Sequence, residues 1–361
     1  MDRIRIVFIQ NSIANAALIA DAIKATRDIE IVGTALDLRL GLDIVRSRAP
    51  DIILAQDGPG VVEFTDTVMR ERFETGIIIM TGGNDPASAK RVVAALTSGA
   101  FDFIAAHGKN ESMPSLLLSK IRCCSIKQYS NRARQGEAGK SGVIGPKTVA
   151  ARPAFTKSYV SGERQTIVRP KFDVVLIGVS TGGPEALMRL LPDYPALMPI
   201  TVIIVLHMPK EFTGPMAAAL DRKTSIRVKE AEDGEEPAPG KAYLAPGGIH
   251  CMLRREARGK LCLRILDGPA ENGCKPSVDV LFRSGAPLFG SKAMAVVLTG
   301  MGVDGTKGAG AIKEHGGSVL TQDERTSVVW GMPGSVVRAG LANEILPLDR
   351  IAARVCELIG I

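Results

Sequence analysis

The chain has 361 residues, a length that suits two domains, and its 45% hydrophobic and 23% charged content is typical of a folded globular protein. It contains no apolar run of about 20 residues and no secretory-type start, so we expect a cytoplasmic protein that does not insert into a membrane. Its six cysteines form no C-x-x-C pair and none lies at zinc-ligand spacing from a histidine, so we expect reduced thiols and no metal.

The first part of the chain alternates short apolar runs with segments of helical spacing. The runs are IRIVFI, IEIVGTA, DIILA, GIIIM and FDFIA, at 4–9, 29–35, 51–55, 76–80 and 101–105. Segments such as ANAALIADAIKAT and ASAKRVVAALTSG lie between them. Five βα units in succession predict a first domain over 1–126, with a parallel sheet covered by helices on both faces.

The next segment, 127–170, loses this rhythm and is basic. It holds nine lysines and arginines against two glutamates, which accounts for the whole net charge of +7. A basic segment can bind nucleic acid, but these charges show no regular interleaving with aromatic residues and no groove-entering helix accompanies them. We therefore interpret 127–170 as a flexible, solvated linker and expect no nucleic acid partner.

The βα pattern resumes in a second domain, 171–361. The runs DVVLIGV, ITVIIVLHM and AMAVVLTGM predict central parallel strands covered on both faces. GKAYLAPGGIHCML and LCLRIL predict a hairpin-type insertion, GGSVLTQDE a further strand, and LDRIAARVCELIG a final amphipathic helix. The predicted fold is a doubly wound, mostly parallel α/β domain.

The stretch VVLIGVSTGGPEAL could hold a phosphate or present a nucleophile. A dinucleotide fingerprint needs a second glycine where Ser180 stands, and a P-loop needs a lysine that is missing. Gly182 and Gly183 instead permit a sharp turn, and Pro184 suits the first turn of a helix. This places the Ser180 hydroxyl near a helix N-terminus, where developing negative charge is favoured.

Three apolar strands deliver Ser180, His207 and Asp304 to their carboxyl ends, which line the ligand crevice of parallel α/β sheets. Each residue alone has an ordinary explanation: a helix cap, a hydrogen-bonded histidine and a turn residue. Together they are the three members of a serine hydrolase triad, so their joint occurrence favours catalysis.

These stretches resemble the bacterial chemotaxis protein-glutamate methylesterases. The matching motifs, which cover most of 172–357, are IGVSTGGPEAL, LHMPKEFTGPMAAALD, YLAPGGIH, KPSVDVLFRS, VLTGMGVDGTKG and TQDERTSVVWGMPGSV. The resemblance implies a hydrolase of receptor glutamyl methyl esters that also deamidates glutamines, with no cofactor. It implies Ser180 as nucleophile, His207 as general base and Asp304 as its orienting acid. It also implies a backbone N–H of Met301 in the oxyanion hole and Thr181 lining the site.

The first domain resembles the receiver domain of this family, a flavodoxin-like (βα)5 fold, but lacks its chemistry. The paired acids after the first strand are replaced by Gln10 and Asn11, the phosphate-accepting aspartate by Gln56, and the lysine after the fifth strand by Ala106. The hydroxyl after the fourth strand remains, as Thr81.

Mg²⁺ binds weakly to neutral amides, so we predict a degenerate receiver that is not phosphorylated. Asp57 is the fallback acceptor, although neighbouring side chains on a strand point to opposite faces. The expected partners are methylated chemoreceptors and a chemotaxis kinase or other regulatory protein. The alternatives are an esterase or amidase with a substrate outside chemotaxis, and a non-catalytic regulatory binding module.

Overall fold

The computed structural model describes residues 3–10, 13–71, 74–82, 85–105, 113–138, 171–257 and 259–361. Two parallel sheets dominate it, one of five strands and one of seven, together with a two-stranded hairpin. The two predicted α/β folds are therefore confirmed. None of the helices in the described ranges combines the length and the apolar composition that a membrane span requires.

The first sheet has the strand order β2-β1-β3-β4-β5, and every neighbouring pair is parallel. This is the flavodoxin-like order that the five βα units predict. Its strands are β1 Ile4–Ile9, β2 Ile29–Ala35, β3 Ile52–Gln56, β4 Gly76–Thr81 and β5 Asp102–Ala105. Its helices are α1 Ile13–Lys24, α2 Leu38–Arg48, α3 Val61–Glu71, α4 Pro86–Thr97 and α5 Met113–Ala138.

Helix α5 does not end at residue 126, where the sequence analysis places the domain boundary. It continues to Ala138, into the segment interpreted as a linker. Polar and basic residues are compatible with a helix, so composition alone could not locate its end. The rest of the predicted linker, 139–170, lies outside the described residues.

The second sheet has the order β14-β13-β12-β6-β7-β9-β8 and is parallel throughout. Its strands are β6 Val174–Val179, β7 Thr201–Leu206, β8 Arg227–Glu230, β9 Lys241–Leu244, β12 Ala293–Val297, β13 Ser318–Gln322 and β14 Glu344–Leu346. Strands β10 His250–Arg255 and β11 Leu261–Leu266 form the hairpin. The helices are α6 Gly183–Leu190, α7 Lys210–Lys223, α8 Val278–Phe289, α9 Thr306–Glu314, α10 Met332–Arg338 and α11 Leu348–Ile359.

One part of the predicted insertion is wrong. The hairpin exists, but β9 belongs to the main sheet, where it pairs with β7 on one side and β8 on the other. Ala242, Tyr243 and Leu244 are buried on both faces of this sheet. A four-residue apolar run carries no periodicity that distinguishes a short buried strand from one arm of a hairpin.

The central strands β6, β7 and β12 are buried along their entire length because helices cover both faces of the sheet. Gly178 on β6 has a packing reason, since a Cβ atom there would lie 2.3 Å from the Cγ1 atom of Val278. Strand β6 therefore carries a glycine where the start of α8 crosses it.

The two domains pack against each other through α4 of the first and α6 and α7 of the second. The rings of Phe103 and Phe212 lie 4.5 Å apart between centroids. The Lys223 ammonium donates to the carbonyl oxygen of Thr97 at 3.2 Å. Buried apolar residues of both domains belong to one continuous cluster, so this interface is a hydrophobic contact.

Candidate active site

Strand register places Ser180 and His207 side by side. Val179 pairs with Leu206 at the ends of β6 and β7, and the His207 N–H donates to the Val179 carbonyl at 3.1 Å. On the other side of β6, the Ser180 N–H donates to the carbonyl of Thr299 at 3.0 Å, just after β12. The three loops that carry the predicted triad residues thus meet at the carboxyl edge of adjacent parallel strands.

The turn after β6 has the predicted form. Gly182 adopts φ +76°, which glycine accepts without strain, and α6 begins at the next residue, with Pro184 in its first turn. Ser180 is partly exposed at the start of this turn. A Cβ atom on Gly300 would lie 2.8 Å from the Cβ of Ser180 and 2.4 Å from the Met332 sulfur. The loop after β12 therefore approaches Ser180 closely only because residue 300 is glycine.

His207 and Asp304 form a hydrogen bond of 2.9 Å between Nε2 and Oδ2. The Asp304 side chain is 1% exposed and the His207 side chain 13% exposed. The structure thus brings together the two side chains that the sequence analysis expects to meet.

Asp304 also accepts hydrogen bonds from the start of α8. Oδ2 accepts from the Val278 N–H at 2.7 Å, and Oδ1 accepts from the Asp279 N–H at 3.1 Å and the Ser277 hydroxyl at 2.8 Å. The side-chain amide of Asn272 donates to Oδ1 at 3.1 Å. Because a buried carboxylate is stable only when it is hydrogen-bonded, the N-terminus of α8 holds Asp304 ionised and fixed.

Sequence reasoning assigned no role to Asn272 or Ser277. The one available signal was the serine before the apolar run VDVLF, which is typical of a helix N-cap, and Ser277 is the N-cap of α8. That signal locates a helix start, but it does not show that the start faces Asp304.

The electrostatics of the pair favour its charged form. Burial of the His207 ring disfavours protonation, but the hydrogen bond to Asp304 and the neighbouring Cys274 side chain outweigh burial and raise the pKa of His207 to about 9. Burial likewise acts to raise the pKa of Asp304, but the hydrogen bonds from His207, Val278 and Ser277 lower it below its usual range. The hydrogen bond between the two side chains therefore acts to stabilise an imidazolium beside a carboxylate.

Within the described residues, the Ser180 hydroxyl is not hydrogen-bonded to His207. Catalytic hydrogen bonds are often long without substrate and tighten in the complex. Because Nε2 is bonded to Asp304, Nδ1 is the ring nitrogen left to accept the Ser180 proton. The structure therefore brings the three predicted triad residues to one sheet edge, with a hydrogen bond between His207 and Asp304 and none between Ser180 and His207.

The backbone N–H groups of Met301 and Thr181 find no acceptor in the part of the chain that the structure describes. Thr181 is 8% exposed and follows Ser180 directly, whereas Met301 is 37% exposed. The Cβ position of Gly331 would lie 3.1 Å from the Met301 Cα, so the loop around Met301 is tightly packed against its neighbour. Unpaired N–H groups on a packed loop beside a nucleophile can stabilise an oxyanion.

Cys274 also reaches this site, which the sequence spacing did not indicate. Ligand atoms of His207, Cys274 and Asp304 all lie within 4.8 Å of one another. Cys274 follows a turn in which Asn272 and Gly273 both have positive φ. The three residues come from separate loops, so the search for ligand spacing along the chain could not detect the group.

In the receiver-type domain, the carboxylate next to the phosphate-acceptor position belongs to Asp57, and side chains of α4 bind it. Asp57 accepts two hydrogen bonds from the Arg91 guanidinium, at 3.0 and 2.9 Å, and one from the Ser88 hydroxyl at 2.5 Å. The buried hydroxyl of Thr81 lies 2.8 Å from that of Ser88. Asp57 is 6% exposed and fully engaged.

Gln10 and Gln56 line a cleft beside Asp57, where a receiver places acidic residues. Asn11 and Ala106 lie outside the described residues.

The fold and these residues define a doubly wound α/β protein with a serine, a histidine and an aspartate at one sheet edge, preceded by a receiver-type domain. The CheB methylesterase family model matches residues 175–355. A protein-glutamate methylesterase/protein-glutamine glutaminase of Trichodesmium erythraeum is 34% identical, with 100% of both chains covered. One of Nocardioides is 38% identical, with 96% of this chain and 93% of the relative covered.

The crystal structure of the Thermotoga maritima CheB methylesterase catalytic domain is 42% identical, with a TM-score of 0.51, and covers 52% of this chain and 99% of its own. The chain belongs to the protein-glutamate methylesterase/protein-glutamine glutaminase family.

Proposed function

We propose that this protein hydrolyses methyl esters of glutamyl side chains in chemoreceptors, and deamidates receptor glutamines, during chemotaxis adaptation. The observation that carries the proposal is the His207–Asp304 hydrogen bond beside Ser180, in a chain that matches methylesterases over its full length. A cytoplasmic location is part of the proposal, and six free thiols are typical of a reducing compartment.

In the proposed reaction, Ser180 Oγ attacks the ester carbonyl carbon while His207 Nδ1 takes the hydroxyl proton. The carbonyl oxygen becomes an oxyanion facing the N–H groups of Met301 and Thr181, each such donor typically worth about 10²–10³ in rate. His207 then gives its proton to the ester oxygen, which departs as methanol, or to the amide nitrogen of a glutamine, which departs as ammonia. Water attacks the acyl-enzyme by the same route in reverse, and Asp304 stabilises the imidazolium in both halves.

We also propose that the receiver-type domain is not switched by phosphorylation. A carboxylate accepts a phosphoryl group only if an oxygen is free to attack and Mg²⁺ is held beside it. Asp57 meets neither requirement. Arg91 and Ser88 donate hydrogen bonds to its oxygens, and Gln10 and Gln56 offer neutral amides where Mg²⁺ needs carboxylates. Regulation by a chemotaxis kinase would then act through binding, and other regulatory proteins are equally suitable partners.

We further propose that the receiver-type domain limits substrate access. A cavity of about 740 Å³ is lined by Cys123 and Ile126 of α5 together with Gly182 and the loop 326–330 beside the site. Val328 of that loop packs against the apolar cluster of the receiver-type domain. A receptor segment that approaches Ser180 from this side meets α5.

The test is methanol release from methylated receptor membranes by the full-length protein, with and without Mg²⁺ and a small phosphodonor. We expect turnover that does not depend on the phosphodonor and that Ser180→Ala abolishes. The matched control is Ser47→Ala, because Ser47 is an exposed serine of α2. Turnover that rises with the phosphodonor contradicts the unswitched receiver. Turnover on small esters but not on receptors indicates a substrate outside chemotaxis. No turnover by folded protein on either substrate indicates a binding module.

A further inference from the structure

We propose that His207, Cys274 and Asp304 form a binding site for Zn²⁺, and that the bound ion reversibly blocks the esterase. The block rests on the proposed function, whereas the binding does not. The starting observation is that one imidazole nitrogen, one thiol sulfur and one carboxylate oxygen lie within 4.8 Å of one another.

The donor set suits this ion. Zinc is held in proteins by the sulfur of cysteine, the nitrogen of histidine and the oxygen of aspartate, at about 2.0–2.3 Å in a tetrahedron. Bonds of that length put two ligand atoms roughly 3.5 Å apart. His207 Nε2 and Asp304 Oδ2, at 2.9 Å, are closer than this, so these two atoms must move slightly apart to admit the ion while the thiol moves toward it.

Cys274 is free to make that approach. It is half-buried, and its thiol donates a long hydrogen bond of 3.6 Å to the Asn272 carbonyl and also interacts with the His207 ring. A rotation about one side-chain bond moves the sulfur without moving the backbone. His207 and Cys274 are both partly exposed, which leaves the ion a path from solvent and an open fourth position for water.

The surroundings also support a cation. Asp304 Oδ1 is fixed by Ser277, Asn272 and the Asp279 N–H, and Oδ2, which is held by the Val278 N–H, is directed at His207. Hydrogen bonds to a ligating carboxylate of this kind typically contribute 10–100-fold to metal affinity. On binding, the thiol proton and the imidazolium proton pass to solvent, and the nitrogen and sulfur lone pairs form the metal bonds.

The consequence for the reaction is direct. Zinc bonded to Nε2 leaves the remaining ring proton on Nδ1, so Nδ1 cannot accept the Ser180 proton. Removing the ion with a chelator restores the free ring. The site would thus stop ester hydrolysis when free zinc rises, through a cysteine that the proposed mechanism does not use.

The test uses the metal-free full-length protein with Co²⁺ as a spectroscopic probe and Zn²⁺ as competitor. We expect wild type and the matched control Cys356→Ser, whose thiol lies on α11, to show the near-ultraviolet thiolate-to-cobalt charge-transfer band. We expect Cys274→Ser to lack the band and to bind Zn²⁺ at least tenfold more weakly. In the methanol assay, Zn²⁺ should inhibit wild type reversibly, and Cys274→Ser should need at least tenfold more.

An equally strong band, or equal inhibition, in Cys274→Ser overturns the proposal. A metal-dependent band in a protein without esterase activity keeps the metal site and rejects the proposed function. Wild-type protein provides a second measurement that needs no variant: Zn²⁺ should slow alkylation of Cys274, but not of Cys356, in peptide mass spectra. Unchanged alkylation of Cys274 at saturating Zn²⁺ contradicts the site.

Discussion

The substitution Asp304→Asn should abolish turnover while leaving the protein folded. Asp304 Oδ1 accepts three hydrogen bonds and Oδ2 accepts two, from His207 and Val278. An asparagine must turn its NH₂ toward one of these sets, and the smaller conflict is at Oδ2. There the NH₂ faces His207 Nε2, so the ring keeps its proton on Nδ1, and Nδ1 can no longer accept the Ser180 proton.

The magnitude follows from the same contacts. Loss of the correct tautomer in a serine hydrolase triad costs about 10⁴ in kcat. The Val278 N–H would face an NH₂ group, and one buried unsatisfied donor costs about 1–3 kcal/mol of the free energy of unfolding. That corresponds to a fall in Tm of roughly 2–4 °C per kcal/mol for a domain of this size.

The assay is methanol release together with thermal unfolding of the same preparations. Asp279→Asn is the matched control, because Asp279 is a second buried acid at the start of α8, and its side chain accepts from Gly308 and Asn272 but does not contact His207. We expect the control to lose less than tenfold in kcat. If Asp304→Asn retains activity within tenfold of wild type, Asp304 does not set the His207 tautomer and the proposed base is wrong.

Three further predictions concern the base, the receiver and the loop beside the nucleophile. Because His207 must be neutral to act as base and its pKa is raised to about 9, kcat/KM should rise with pH through a midpoint well above 6.5; a midpoint at or below 6.5 contradicts the charged resting pair. Trapping after phosphodonor treatment should yield no phosphorylated Asp57 in mass spectra, and a modified Asp57 peptide rejects the degenerate receiver. Gly300→Ala should lower kcat at least tenfold and destabilise the fold by about 1–3 kcal/mol, because its Cβ collides with Ser180 and Met332. Gly310→Ala, at an uncrowded position of α9, should do neither; equal activity in both variants contradicts the close packing at Gly300.

The strand ends could be predicted because long apolar runs determine where buried parallel strands stop. Ser180 and His207 directly follow such runs, so their neighbourhood followed from topology alone. Asp304 lies farther from the end of β12, but the glycine-rich loop that carries it follows the same carboxyl edge of the sheet.

The residues that escaped prediction lie on irregular backbone or depend on side-chain direction. Asn272 and Cys274 come from the turn between the hairpin and α8, which has no periodicity to follow. The Asp57–Arg91 pair joins a strand end to the second turn of α4, and the sequence gives no sign of which cation would face that aspartate. Pairing across loops is decided by packing, which a single sequence does not display.

The Asp57 contacts bear on how the two domains communicate. Ser88 and Arg91, which hold Asp57, lie on α4, the helix of the receiver-type domain that packs against α6 and α7 of the esterase domain. The carboxylate at the acceptor end of the sheet is therefore tied by hydrogen bonds to the interface helix itself. A phosphoryl group could move α4 only after displacing the bidentate ion pair between the nearly buried Asp57 and the partly exposed Arg91. A partner that contacts α4 or α5 meets no such obstacle, because it competes with the interdomain contact directly. We therefore expect a bound protein, and not phosphate, to control substrate access.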